Sequence, residues 1–114
     1  MSAITTHILD VSRGSPASGV SITLEIQTDG NGWRIIGRGE TDADGRLRNL
    51  LPDDSQLKAG TYRLTFDTGA YFAAQKTEAF YPEVKVAFVV KDGAQHYHVP
   101  LLLSPFGYST YRGS

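Results

Sequence analysis

An alternation of apolar and polar side chains at period two is the feature of this sequence that most limits its fold. In the stretch VSITLEIQ, which begins at Val20, every second residue is a branched apolar one. Successive side chains of a β-strand point to opposite faces of a sheet, so this spacing predicts a strand with one buried face. The same alternation recurs in residues 62–67 and 84–90. The chain is therefore expected to be built from half-buried strands.

Short turn sequences separate these segments and predict a β-sandwich. Further strands are predicted at residues 3–11, 33–41, 95–103 and 108–112. Sequences such as TDGNG, DADG and KDG lie between the strands and are typical of tight turns. The alanine-rich stretch TGAYFAAQK, residues 68–76, predicts one or two helical turns. Seven or eight short strands with one small helix indicate an all-β sandwich, here a single domain spanning residues 1–114.

Composition and charge exclude several classes of protein. The net charge is −1, whereas phosphate recognition requires a dense basic face, so no nucleic-acid partner is expected. The chain has no cysteine, which excludes disulfides and thiolate zinc sites and favours a cytoplasmic location. Apolar runs such as VAFVV are far shorter than the roughly 20 residues that span a bilayer, so no membrane partner is expected. The start, MSAITTH, is neither basic nor apolar, and no signal peptide is expected.

The segment DADGR, residues 42–46, resembles a calcium-binding loop only in part. An EF-hand loop needs glycine at its sixth position, and Leu47 stands there. A tight Asp-Gly turn between two short strands is therefore the expected structure. Arg46 follows this turn directly and Arg48 comes two residues later, so both can project to one side of a short strand. Arg48 is expected to be a solvated charge.

Three histidines, His7, His96 and His98, are the side chains best suited to acid–base or metal chemistry. His96 and His98 lie two residues apart on a predicted strand, so both rings face one side of the sheet. With His7 as a third ligand, the pair could hold zinc and acidify a bound water. The alternatives are a solvated histidine pair, and for His7 either a structural role or proton transfer with His98 beside an arginine. No serine lies in a nucleophile-elbow sequence, and carboxylate pairs such as Asp53 and Asp54 fall in turns.

Three blocks of sequence mark the start, the middle and the end of the chain. They are TTHILDVSRGSPASGV, TDADGRL and PLLLSPFGYSTYRGS, with DTGAYF and FYPEV between the second and third. Together they resemble the 5-hydroxyisourate hydrolase family, enzymes of urate breakdown that share their fold with the hormone carrier transthyretin. The resemblance covers essentially the whole chain. It implies a transthyretin-like sandwich of two four-stranded sheets with one short helix.

The carrier transthyretin is the alternative function that these blocks must exclude, because LD…RGSP and LLSP…YS occur in both proteins. Four positions distinguish them. In the carrier, lysine replaces His7, glutamate replaces Arg46, threonine replaces His98, and a different tail replaces YRGS. This chain has the residue of the enzyme at every one of them, so the resemblance implies catalysis. An interaction module without activity is a third possibility, since a fold alone does not determine a function.

The resemblance also implies a site and an assembly. Four chains form a homotetramer whose sites lie at the dimer–dimer interface, with more than one subunit contributing to each. The substrate is 5-hydroxyisourate, the product is 2-oxo-4-hydroxy-4-carboxy-5-ureidoimidazoline, and neither a metal nor a cofactor is required. The expected catalytic residues are His7, Arg46, His98 and Ser114. The expected substrate-binding residues are His7, Arg46, Tyr111 and Arg112.

Residue types suggest roles within this implied site. Either His7 or His98 can be the base that activates water, with the other as the acid. The guanidinium of Arg46 suits a planar substrate and a developing oxyanion. Ser114 is expected to position water or substrate, and Gly113 to permit close approach of the backbone or an unusual turn. His96 is left outside the site. The tetrapeptide YRGS, with no tail behind it, is expected to be part of the site.

Overall fold

Two β-sheets form the protein in the computed structural model, which describes residues 2–53 and 55–114. Met1 and Asp54, one of the carboxylates expected in a turn, lie outside these residues. The strands are β1 (Ile4–Asp10), β2 (Ser15–Pro16), β3 (Ser21–Gln27), β4 (Trp33–Glu40), β5 (Arg46–Leu47), β6 (Gly60–Phe66), β7 (Val84–Val90), β8 (Tyr97–Ser104) and β9 (Gly107–Thr110). The helices are α1 (Thr68–Ala74) and one 3-10 turn (Asp29–Asn31). The predicted strands and helix are confirmed, with bounds that differ by at most two residues. Among the helices described, none is long and apolar enough to cross a membrane.

The two sheets differ in how their edges are built. One has the strand order β4-β3-β6-β7 and the other the order β2-β1-β8-β9, with β5 also paired to β1. Because β2 pairs with Leu9 and Asp10 while β5 pairs with Thr6 and His7, the two short strands occupy successive parts of one edge of β1. The second sheet therefore contains five strands where four were expected.

Strand β1 pairs in parallel with β8, from Ile4 opposite Tyr97 to Asp10 opposite Leu103. The other strand pairings of the described residues are antiparallel. Parallel neighbours need a long crossover connection, and here that connection contains the other sheet and α1. The pairing therefore joins the start of the chain to its last hairpin.

The core lies between the inner faces of the sheets. Alternate residues of each central strand are buried, as the period of two predicted: Leu24 and Leu64 have no exposed surface. The largest fully buried side chains are Tyr62, Phe66, Phe72, Ile4, Ile8, Ile22, Leu24, Leu64, Leu101, Leu103, Val20 and Val84. Burying one such aliphatic side chain stabilises the fold by about 1.5–3 kcal/mol, so the inner faces are the main source of stability.

A buried carboxylate links α1 to the end of β1. The Asp10 side chain is fully buried and accepts hydrogen bonds from the Ser12 amide at 3.1 Å and the Ser12 hydroxyl at 2.6 Å. Tyr71 of α1 donates a third bond from its hydroxyl to Asp10 Oδ2 at 2.8 Å. Since a buried charge is costly unless its acceptors are satisfied, these bonds stabilise the junction.

Tyr71→Phe is expected to lower the free energy of unfolding by about 1–3 kcal/mol, because it leaves one acceptor of the buried Asp10 carboxylate unsatisfied. Urea unfolding at fixed protein concentration measures the change. Tyr108→Phe removes a hydroxyl from a side chain that is 42% exposed and is the matched control. Equal stability of Tyr71→Phe and the unsubstituted protein would contradict the assigned role.

Candidate active site

The outer face of the sheet that contains β1, β5 and β8 brings the predicted site residues together. Thr5 lies opposite His98 across the parallel pairing, and His7 lies opposite Arg46 across the antiparallel one. Directly opposed residues share one face of a sheet. The next residue along β5, Leu47, is buried in the core at 4% exposure. The alternation that buries Leu47 therefore turns its neighbour Arg46 outward, to the same side as both histidines.

A polar cavity of about 190 Å³ lies on this outer face. Its wall carries guanidinium, imidazole and hydroxyl groups, contributed by Thr5, Thr6, Arg46, Arg48, His96, His98 and Ser114. Three of the four predicted catalytic residues thus line one cavity. The fourth, His7, does not line it but is paired directly with Arg46 at its edge. Cationic donors beside imidazoles can orient an oxygen-rich planar molecule and move protons at its carbonyl groups.

The predicted Asp-Gly turn positions Arg46. The Asp42 carboxylate accepts hydrogen bonds from the amide of Asp44 at 2.9 Å and the amide of Arg46 at 3.0 Å. These two bonds lower the pKa of Asp42 below its usual value, and the bond from the Arg46 amide has the larger effect. Gly45 has φ +73°, and a Cβ there would lie 2.5 Å from the carbonyl oxygen of Ile8. Both facts require glycine at the position that directs Arg46 towards the cavity.

Burial lowers the pKa of His98, and the positive charge of Arg46 is the next cause, followed by His7 and His96. Burial also lowers the pKa of His7, again with Arg46 as the second cause. A hydrogen bond from His7 to the backbone carbonyl of Asp44 partly opposes the change. Both rings therefore favour the neutral form at neutral pH, in which one nitrogen of each imidazole can accept a proton.

The segment after β9 packs against His98. The Gly113 amide donates a hydrogen bond to the His98 carbonyl at 2.8 Å. A Cβ at Gly113 would lie 2.6 Å from His98 Cδ2 and 3.1 Å from Pro100 Cγ. The predicted close approach at Gly113 is confirmed, and it allows Ser114 to reach the cavity wall.

Tyr111 and Arg112 are the two predicted substrate-binding residues in the tail, which is the segment after β9 (residues 111–114). In the single chain they face a different cavity. This neighbouring cavity, about 200 Å³, lies between the tail and β7 and shares His98 with the first. The Arg112 guanidinium lies 4.7 Å from the ring centre of Tyr97 and donates to Gln95 Oε1 at 2.8 Å. Adjacent residues of an extended chain point to opposite sides, so Arg112 points away when Gly113 packs on His98.

Four residues that line the cavity with His98 were left out of the predicted site: Thr5, Thr6, Arg48 and His96. The side chains of Thr5 and His96 meet, since Thr5 Oγ1 is 3.2 Å from His96 Nε2. The spacing of Thr5 and His7 indicates a shared face, but no local pattern tells which strand lies beside Thr5. Arg48 also borders the cavity, and it is a half-exposed charge, as predicted, that lies 3.4 Å from Asp42 Oδ2.

The zinc hypothesis requires a third ligand beside His96 and His98. Within residues 2–53 and 55–114, no group of three or more histidine, cysteine, aspartate or glutamate side chains is arranged to hold a metal ion. His7 therefore does not complete a ligand set with the other two histidines.

Arg46→Gln is expected to raise the pKa of both His7 and His98, because it removes a positive charge that disfavours the imidazolium forms. NMR titration of the imidazole Cε1–H signals measures the change without relying on activity. As the pH falls, each histidine of the variant would then lose its neutral base form at a higher pH than in the unsubstituted protein. Arg48→Gln is the control, since Arg48 is not among the charges that lower the pKa of either histidine. An unchanged pKa in Arg46→Gln would contradict the assignment.

Gly113→Ala is expected to displace the His98 ring, since the added methyl group cannot fit 2.6 Å from His98 Cδ2. A changed chemical shift of the His98 ring signals would report the displacement. Gly107→Ala is the matched control on the same hairpin, because its nearest contact would be an ordinary 3.7 Å from Ser104 Oγ. A His98 signal unaffected by Gly113→Ala would show that the tail can move aside.

Comparison with known proteins places this geometry in a family. Residues 4–113 match the HIUase/Transthyretin family. The 5-hydroxyisourate hydrolase of Salmonella typhimurium is 49% identical over 111 residues, which cover 97% of this chain and 80% of the relative. The structure of Klebsiella pneumoniae 5-hydroxyisourate hydrolase is 40% identical, with a TM-score of 0.84 and coverage of 97% of this chain and 98% of that one.

The other branch of the family is similar in structure as well. Sea bream transthyretin in complex with thyroxine is 38% identical, with a TM-score of 0.91 and coverage of 98% of this chain and 95% of that one. Similarity of fold therefore does not separate the two branches. On the match along nearly its whole length, this chain belongs to the HIUase/Transthyretin family.

Proposed function

We propose that this protein is an enzyme that hydrolyses 5-hydroxyisourate in urate degradation and forms 2-oxo-4-hydroxy-4-carboxy-5-ureidoimidazoline. The observation that carries the proposal is the cavity that Arg46, His98 and Ser114 line together, with His7 beside Arg46. Curated relatives from bacteria, nematode and mouse, 45–51% identical over nearly the whole chain, are named as hydrolases or probable hydrolases of this compound. The residues that distinguish hydrolase from carrier in the resemblance are those of the hydrolase.

His98 takes a proton from the attacking water. It lines the cavity, and its Nδ1 lies 2.8 Å from Thr5 Oγ1, so Nε2 is the nitrogen available to water. A base must be neutral before it acts, and the lowered pKa of His98 supports this state at neutral pH. The water oxygen then bonds to the carbonyl carbon of the six-membered ring.

Arg46 binds the planar substrate and stabilises the oxyanion that forms on the attacked carbonyl. A guanidinium presents several donors in one plane, which suits adjacent carbonyl and amide acceptors. The same charge favours the negative tetrahedral intermediate over the neutral ground state, which is the condition for accelerating the step. Ser114 adds a hydroxyl group that positions water or substrate at the cavity wall.

Ring opening then breaks the carbon–nitrogen bond of the cyclic amide. The departing nitrogen receives the proton that His98 took from water. His7, paired with Arg46 at the edge of the cavity, accepts the second water hydrogen when the new carboxyl group ionises. His7 then releases this hydrogen to solvent, so both hydrogens of the water are accounted for.

The active form is a homotetramer in which subunits share sites at the dimer–dimer interface. Tyr111 and Arg112 line a cavity next to the one that Arg46 and Ser114 line. Assigning them a substrate-binding role therefore requires that a second subunit bring the two cavities into one site. Tyr111 is 57% exposed in the single chain, a large aromatic surface that such an interface would cover.

His98→Ala and Arg46→Glu are each expected to lower kcat by about a hundredfold or more, because they remove the base and the oxyanion donor. The measurement is the loss of 5-hydroxyisourate absorbance after uricase generates it in place. Deletion of residues 111–114 is expected to have a comparable effect, and a chelator to have none. Near-normal turnover in His98→Ala or in Arg46→Glu would contradict the role assigned to the substituted residue.

Controls separate loss of chemistry from loss of structure. Arg38→Glu reverses a charge on an exposed residue of β4, in the other sheet, and should keep full activity. Light scattering should give the point variants the mass of the unsubstituted tetramer. Decay no faster than the uncatalysed background would indicate a binding protein on the carrier's fold. A chelator-sensitive rate would support the zinc hypothesis instead.

A further inference from the structure

The hydroxyl group of Thr5 lies between two imidazoles. Thr5 Oγ1 is 2.8 Å from His98 Nδ1 and 3.2 Å from His96 Nε2, both within hydrogen-bond distance. Thr5 is only 3% exposed, His98 is half-buried, and His96 is exposed. The three groups therefore form a continuous path from the half-buried His98 to the exposed His96.

The single hydrogen of this hydroxyl gives the path a direction. Thr5 can donate to only one of the two nitrogens, so the other must donate to Thr5. When Thr5 donates to His96, the hydrogen of His98 is on Nδ1, and Nε2 is free to act as a base. When Thr5 donates to His98, Nε2 carries the hydrogen and can act as an acid. The orientation of one hydroxyl thus selects which role His98 has.

We propose that Thr5 and His96 form a proton relay with His98, which moves the positive charge of the protonated base out to His96 and returns it for the departing nitrogen. This inference rests on the proposed hydrolysis and deepens it, because the role of His98 changes from base to acid within one turnover. It assigns functions to two residues of the cavity wall that the hydrolytic steps alone do not use.

The relay conserves every proton. During attack, His98 Nε2 gains a proton from water, His98 Nδ1–H passes to Thr5 Oγ1, and the Thr5 hydrogen passes to His96 Nε2. His98 is then neutral with its hydrogen on Nε2, and His96 carries the charge. When the carbon–nitrogen bond breaks, Nε2–H passes to the departing nitrogen and the same transfers run backwards. The three groups end in their starting state.

Charges around His98 favour such a relay. Arg46 lies on the same outer face, and Arg48, His7 and His96 are further basic or titratable groups near His98, with Arg112 in the neighbouring cavity that His98 also lines. An imidazolium at His98 is disfavoured beside a guanidinium in a partly buried site. His96 is exposed, so water can solvate the same charge there. Moving the charge outward therefore lowers the free energy of the protonated intermediate.

The test compares Thr5→Val, Thr5→Ser and His96→Ala in the uricase-coupled assay. Valine keeps the shape of threonine without its hydroxyl group. Thr5→Val and His96→Ala are each expected to lower kcat by about tenfold with an unchanged KM, at the low end of acid–base contributions. Thr5→Ser keeps the hydroxyl group and should retain most activity. The double variant should be no worse than either single one, since the residues act as one unit.

Added imidazole distinguishes a relay from simple positioning. It should restore His96→Ala in a saturable way, because the exposed position leaves room for it, and should not restore Thr5→Val. Normal turnover in His96→Ala, failure of imidazole to restore it, or additive losses in the double variant would overturn the relay and leave Thr5 as a residue that only orients His98. If the unsubstituted protein does not accelerate the decay, the proposed hydrolysis itself fails, which is a separate outcome.

Discussion

The parallel pairing of β1 with β8 is the interaction on which the rest of this structure depends. It joins segments 93 positions apart, as the contact between Thr5 and His98 shows. Closing so long a loop costs conformational entropy, which is repaid by a ladder of backbone hydrogen bonds and by the apolar side chains that it buries. Without this pairing, neither Thr5 nor His7 would lie beside the last hairpin, and the cavity would have no second wall.

The candidate site is built on a sheet surface and leaves the hydrophobic core intact. Alternation sends one set of side chains inward for stability and leaves the opposite set free for chemistry. This division explains how the hydrolase and carrier branches of one family can share a fold so closely. A substitution at an outward position such as Arg46 alters the charge of the polar cavity. It neither leaves a packing void nor causes a clash in the core. The fold is then common to both branches, and the proposed activity depends on a few outward side chains.

Periodicity predicted the bounds of the long strands to within two residues, because a seven- or eight-residue strand contains several repeats of the two-residue pattern. It could not predict β2 as a strand, since two residues have no period. Turn chemistry predicted the position of Arg46 well, because Asp42 and Gly45 act within a few residues of it. The directions of the Tyr111 and Arg112 side chains could not be predicted in this way. Their directions depend on how Gly113 packs against a distant histidine, and in the single chain that packing turns them towards another cavity.

By itself, the sequence determined which segments are strands, which side chains share a face of a sheet, and which residues stand at the four positions by which the resemblance distinguishes hydrolase from carrier. These properties depend on local spacing and on residue identity. Only the tertiary structure decided which strands are neighbours, and hence that the Thr5 hydroxyl lies between His96 and His98. Strand pairing is selected by the packing of the whole core, so a contact across 93 positions has no local signature in the chain.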